Sequence, residues 1–279
     1  MDKKQKKTMV IIFGVIAAVL LAGIFLTSGN GGEEESVQVV MRDAVLHDVN
    51  KVNFLGMEVN PGLVAGFVTS GILIIAAILI RIFVIPKFTM VPGKFQMVLE
   101  TLVGYFTNLG KTNSPHLNRL MGGYIFAAGA YIFTGTMLEL FGIQVVTTGG
   151  HSVSMPAPLS DINGAIMMGC TSYLFILTGG IAAHGLKGIL KTLKEFSLPI
   201  SMSFRLFGAL LSGALVTELV YYYTALSYVV PVIVGVLFTC LHALIQAYVL
   251  TMLVSIFYGE VSEPDVPKLK TKKVKAVKA

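Results

Sequence analysis

From Phe196 to Gly259 the chain holds only two residues that are Asp, Glu, Lys or Arg, namely Arg205 and Glu218. An uncharged run of that length has room for two spanning helices of about 20 residues each, and its natural solvent is lipid rather than water. If its first part is helical, Arg205 stands roughly 15 Å beyond Glu195 at about 1.5 Å per residue. That is about half the depth of a ~30 Å hydrocarbon core. A guanidinium does not discharge itself by losing a proton, and holding it at mid-membrane costs roughly 3 kcal/mol on insertion scales. Either the side chain snorkels to the headgroups, or it faces a cavity, an ion path or a partner. Long apolar flanks on both sides favour the second reading.

The composition of the whole chain agrees. With 54% hydrophobic and 13% charged residues among 279, and a mean hydropathy of +0.78, it lies outside the range of ordinary soluble domains. The expected fold is an all-α polytopic membrane protein with five or six transmembrane helices. Two cysteines, Cys170 and Cys240, fall inside apolar runs and read as buried free thiols.

In chain order, residues 1–29 join a basic start (MDKKQKK) to an apolar run and then small residues. They form either a cleaved signal peptide or a retained N-terminal anchor. Residues 30–60 are acidic and polar, with no evident fold of their own, and suit the translocated side. Residues 61–260 form the integral membrane domain. Its expected spans are 61–80, 120–138 and 163–183, followed by two long runs at 196–226 and 228–258. At about 31 residues, or roughly 46 Å as helix, each long run exceeds a membrane's thickness, so the last two helices are expected to be tilted and antiparallel. Residues 95–112 are too short and polar to span and read as a helix along the inner surface. The loop 140–162, with two prolines and few charges, is expected to be irregular and external. Residues 261–279 make a basic tail.

All Lys and Arg residues except Arg42, Lys51 and Arg205 fall in segments that this topology puts inside. The positive-inside rule then places the C-terminus in the cytoplasm. No internal repeat is evident, so an inverted-repeat transporter has no support of that kind.

If the last two helices turn near Leu226, a position n on the first lies level with about 453 − n on the second. Arg205 then falls near Tyr248 and Gln246, with His242 one turn further toward the outside. Each polar residue has a structural and a functional reading. Gln246 is either interhelical hydrogen-bonding glue or a channel residue, and His242 is either a packed neutral ring or a relay. Glu218, roughly 20 Å from Arg205 along the axis, is too far to be its ion-pair partner and reads as lining a hydrated path. Gly179, Gly180, Gly208 and Gly213 read as close-packing sites. Phosphate-loop, nucleophile-elbow and zinc-helix motifs are absent from the sequence, so no cofactor, metal or nucleic acid is expected.

The run SLPISMSFRLFGALLSG at 197–213 resembles the core motif of subunit a of the rotary F-type ATP synthase. Other stretches agree in order: PGKFQ at 92–96 followed by Glu100, MLELFG at 137–142, PLSDIN at 158–163 and IQAYVLTML at 245–253. The resemblance implies a non-catalytic stator subunit that offers two offset half-channels for H+ or Na+ to the carboxylates of a c-subunit ring. It implies c and b subunits as partners and a multi-pass location in a bacterial cell membrane. Arg205 would be the stator arginine, Gln246 its neighbour on the last helix, and Glu139, Asp161 and Asn163 part of the outer access region. Ala209 and Ala214 stand where the family often has asparagine and an acid, and Glu218 and His242 are displaced from the usual outer groups. The competing class is a secondary transporter whose arginine binds an anionic substrate. It requires broken helices, for which Pro199 and Pro231 are the only sign. An intramembrane enzyme would require a nucleophile with its base, or metal ligands, and neither is evident.

Overall fold

The computed structural model describes residues 51–264, apart from Leu55, residues 116–119, His151 and residues 223–229. The N-terminal segment 1–29, most of the acidic stretch and the basic tail therefore lie outside the described residues.

The first described element is a hairpin of β1 (Val52–Phe54) and β2 (Met57–Val59), paired antiparallel. Its turn uses Gly56 at φ 86°, a conformation that favours glycine, and the Gly56 amide donates to Asn53 Oδ1 at 3.0 Å. Phe54 stacks on Phe67 with ring centroids 5.5 Å apart, which seats the hairpin on the next helix. That helix, α1 (Pro61–Leu79), starts with proline at a position where no amide donor is required, and the Asn60 side chain accepts from Gly62. Arg81 does not end it. The chain continues through a wide π turn (Ile80–Val84) and a tight 3-10 turn (Ile85–Lys87) before leaving the helical path at Phe88.

Six more helices follow among the described residues, interrupted by one further hairpin. They begin with α2 (Lys94–Asn113) and α3 (Met121–Leu140), then strands β3 (Gln144–Val146) and β4 (Ser152–Ser154), then α4 (Ile162–His184), α5 (Leu186–Leu193), α6 (Ser197–Tyr222) and α7 (Val230–Ser262). Among the described residues, five helical stretches are long and apolar enough to cross a membrane: Pro61–Lys87, Met121–Leu140, Ile162–His184, Ser197–Thr217 and Val232–Ser262. The protein is an all-α multi-pass membrane protein. Both hairpins sit at one end of the bundle, tied by the Thr148 amide donating to the Lys51 carbonyl at 2.9 Å. The other end carries Lys87, the α4–α5 connection and the close of α7. These are called the hairpin end and the lysine end.

α7 is the central helix, packed against α3, α4 and α6, with α2 and α5 against its lysine end; α1 packs mainly on α3. The core joins Met121, Ile125 and Ile132 of α3 to Ile176 of α4, Leu206 of α6 and Val254 of α7. Lipid gives no hydrophobic push between helices, so close backbone approach and ring packing have to hold them. A methyl placed on Gly179 would fall 2.5 Å from the Tyr258 ring, and Tyr258, Phe175 and Tyr124 form a ladder with centroid spacings of 5.0 and 4.1 Å.

Four expectations are corrected. The loop 140–162 is not wholly irregular, because Gln144–Val146 pairs with Ser152–Ser154, and residues 51–60 also form a hairpin. In addition, the lysine-bearing stretch after α4, to which the sequence reading assigns no element, is a helix, α5, which crosses α4 where Gly188 meets the Gly180 backbone. Cys170 is exposed on the isolated chain rather than buried, since an apolar run in a membrane can face lipid as readily as protein. Gly208 has no neighbour within 4 Å of a would-be Cβ, so it is no packing site within this chain, unlike Gly179, Gly180 and Gly213.

Candidate functional site

α6 has two faces. Met202, Leu206 and Leu210 point into the bundle and are buried, whereas Ser201, Phe204, Arg205, Gly208 and Ser212 lie on the opposite, exposed stripe. Arg205 is eight residues past the start of α6, roughly 12 Å along its axis. No ion pair holds its guanidinium among the described residues. Pro199 falls in the first turn of α6 and Pro231 in the first turn of α7. Amides there have no intrahelical acceptor, so these prolines remove no bond and both helices run unbroken.

α6 and α7 meet where a Cβ on Gly213 would lie 3.1 Å from His242 Nδ1. The register read from the sequence set Gly213 opposite Cys240, so it is right to within two residues. The His242 ring also rests on Phe238, with centroids 5.8 Å apart. Glu218 lies on α6 beyond this contact, toward the hairpin end.

Gln246 is one turn from His242 on the lysine side of α7 and faces the bundle interior. It is only 6% exposed, and its Oε1 has no hydrogen-bond partner among the described residues. A buried amide oxygen left unpaired costs about 1–3 kcal/mol. Gln246 therefore faces inward while Arg205 faces outward, on adjoining helices and at nearby depth.

Asp161 and Asn163 come together at the N-terminus of α4. Asp161 Oδ1 accepts from the Asn163 amide at 3.2 Å and from Asn163 Nδ2 at 3.3 Å, so Asp161 is the helix cap as well as a candidate channel residue. Both line a cavity of about 390 Å³ between α1, α3 and α4, with Ser70, Tyr131 and Thr171 supplying further polar groups. Sequence reasoning missed Ser70 and Tyr131, because a lone hydroxyl in an apolar span carries no signal until its neighbours are known. Glu139 stands two turns beyond Tyr131, near the close of α3, and is partly buried. Among the described residues, no cluster of three His, Cys, Asp or Glu side chains could hold a metal ion.

The polar groups thus form three stations. One is an outward-facing arginine, the second is the Gly213–His242 contact with Gln246 nearby, and the third is a hydroxyl- and carboxylate-lined cavity opening at the hairpin end. Residues 67–259 match the family model described as ATP synthase A chain. ATP synthase subunit a of Cereibacter sphaeroides strain ATCC 17025 / ATH 2.4.3 is 25% identical over 199 residues, covering 67% of this chain and 75% of that protein. The subunit of that name from strain ATCC 17029 / ATH 2.4.9 matches to the same extent, again at 25% identity.

Proposed function

The chain belongs to the ATP synthase A chain family, and from that premise we propose that it is the stator ion-channel subunit of a rotary F-type ATP synthase. It takes no catalytic step itself. Two half-channels pass H+ or Na+ to and from carboxylates on a c-subunit ring. The observation that carries this reading is Arg205, displayed at membrane depth on the uncovered face of an unbroken helix.

The mechanism follows from charge. A rotor carboxylate crossing lipid has to be neutral, protonated or holding a cation, because a bare charge there is expensive. Beside Arg205 the ionised form is favoured, so the carboxylate releases its ion on one side of the arginine and reloads on the other. The same positive charge bars ions from running straight between the half-channels. The gradient supplies roughly 2.3 kcal/mol per charge per 100 mV.

In this reading the outer half-channel opens at the hairpin end, where the Asp161–Asn163 cavity and Glu139 lie, and continues past Glu218 and His242. Gln246 is the neighbouring polar group on α7. The lysine end is cytoplasmic, following the placement of Lys and Arg. The c ring meets the Arg205 face, and b subunits complete the stator in the cell membrane. The transporter alternative loses its main clue, since Pro199 and Pro231 sit in first turns and break neither helix.

The test is ATP synthesis by reconstituted vesicles under an imposed ion gradient. Arg205→Ala is expected to insert and assemble, because removing a mid-membrane charge relieves an insertion cost, and to abolish synthesis. Arg205→Lys is expected to restore little, since an ammonium lacks the planar fork and can lose its proton when desolvated. Near-normal synthesis by an assembled Arg205→Ala complex would sink the reading.

A further inference from the structure

The stations around Arg205 leave the lysine end of α1 and α2 unused. α1 unwinds through its π and 3-10 turns, while α2 is held against α3 and α7. Between them lies an open cleft of about 500 Å³. Ile80, Ile85 and Phe88 form one wall, and Leu99, Val103 and Gly104 form the other. We propose that this cleft is a binding site for one anionic phospholipid of the leaflet at the lysine end.

The cleft supplies both parts of such a site. Its walls are apolar, and a Cβ on Gly104 would meet nothing within 4 Å, so the floor is open to an acyl chain. The cleft is also lined by Asn108 and Lys111, whose amide and ammonium groups have no hydrogen-bond acceptor among the described residues. These are the donors a phosphate requires. Two other polar groups in the cleft are already engaged: Thr107 Oγ donates to the Val103 carbonyl at 2.8 Å, and Glu100 Oε1 accepts from Gln96 Nε2 at 2.7 Å. Gln96 is in turn fixed by the Thr89 backbone at 3.0 and 3.2 Å, which holds the Glu100 carboxylate to one place in the cleft.

Charge selects the headgroup. From Arg81 to Asn113 the only acid is Glu100, against Arg81, Lys87, Lys94 and Lys111. Four cations beside the end of a spanning helix attract anionic lipid. A partner helix would fill the apolar walls equally well, but it would leave Lys111 and Asn108 unmatched unless it brought an acid to them. An anionic headgroup supplies the match directly. The site goes beyond the stator reading and does not depend on it.

The test uses the purified complex, stripped of lipid and then supplied with phosphatidylglycerol or phosphatidylcholine carrying a photoactivatable diazirine in the acyl chain. Mass spectrometry locates the label. Phosphatidylglycerol is expected to label residues 80–88 and 99–111 about fivefold or more over phosphatidylcholine, the preference one surface cation is worth. Lys111→Gln is expected to cut that preference about fivefold. Gly104→Phe should fill the floor without a clash and abolish labelling by both lipids in an assembled complex. Equal labelling by the two lipids, or a preference that survives Lys111→Gln, would overturn the proposal. So would a protein cross-link to these residues in place of lipid, which would assign the cleft to a partner helix.

Discussion

The two halves of the α6–α7 pair are alike in sequence and unlike in structure. On the lysine side, α7 from Ala243 to Ser262 is studded with buried residues and α6 is buried at intervals as far as Leu210. On the hairpin side, no residue of α6 beyond Leu210 and none of α7 before Ala243 is buried, among those whose exposure is described. Both halves are predominantly apolar. The difference teaches that hydropathy places a segment in the membrane, while close approach decides whether it packs. Small residues and paired hydroxyls supply most of that approach on the lysine side, while the hairpin side has the Gly213–His242 contact. Arg205 stands close to the boundary between the two.

The largest expected contrast is in solvent access. In a background lacking Cys170 and Cys240, Glu218→Cys and His242→Cys are expected to react with a water-soluble thiol reagent added at the hairpin end, whereas Thr251→Cys, at a site 1% exposed, stays inert. Inertness of both hairpin-side cysteines would return Glu218 and His242 to packing roles. Next comes packing itself. Gly179→Val drives a side chain into the Tyr258 ring and is expected to cost about 1–3 kcal/mol, read as a lower dissociation temperature of the solubilised complex. Gly235→Val, where a Cβ meets nothing within 4 Å, should stay within about 0.5 kcal/mol. If the two variants behave alike, the halves are not packed differently. The smallest effect is expected from Asn113→Ala, which removes the 2.8 Å bond from Asn113 Nδ2 to Ser255 Oγ. Interhelical bonds in membranes average about 0.6 kcal/mol, so a small fall in the same temperature is expected. A fall as large as that of Gly179→Val would make this bond, rather than ring packing, the main tie.

The spans were legible because hydrocarbon thickness imposes their length. The run expected at 163–183 is Ile162–His184, and that at 61–80 begins at Pro61. Arg205 was legible for the same reason, as a charge where none is cheap. The faces were not, because helices apolar all round have no stripe to read. Nothing in the sequence told that Gln246 points inward and Arg205 outward. The two hairpins were not legible because three-residue strands are too short to establish an alternating pattern. Tyr131 and Ser70 became visible only once three helices had enclosed a cavity around them.

At the lysine end the close of α7 is gripped from three sides. Ser262 Oγ lies 3.1 Å from Ser114 Oγ, and the Glu263 carbonyl lies 2.8 Å from His184 Nε2 and 3.5 Å from Lys191 Nζ, an ammonium suiting a helix C-terminus. Seen as a beam, α7 is clamped at its root, and α6 leans on it through Gly213 and His242. A sideways push delivered at Arg205 therefore meets the pair nearer the clamp than the tip, where a given force bends a cantilever less. The same push at the far tip would act on the full lever arm.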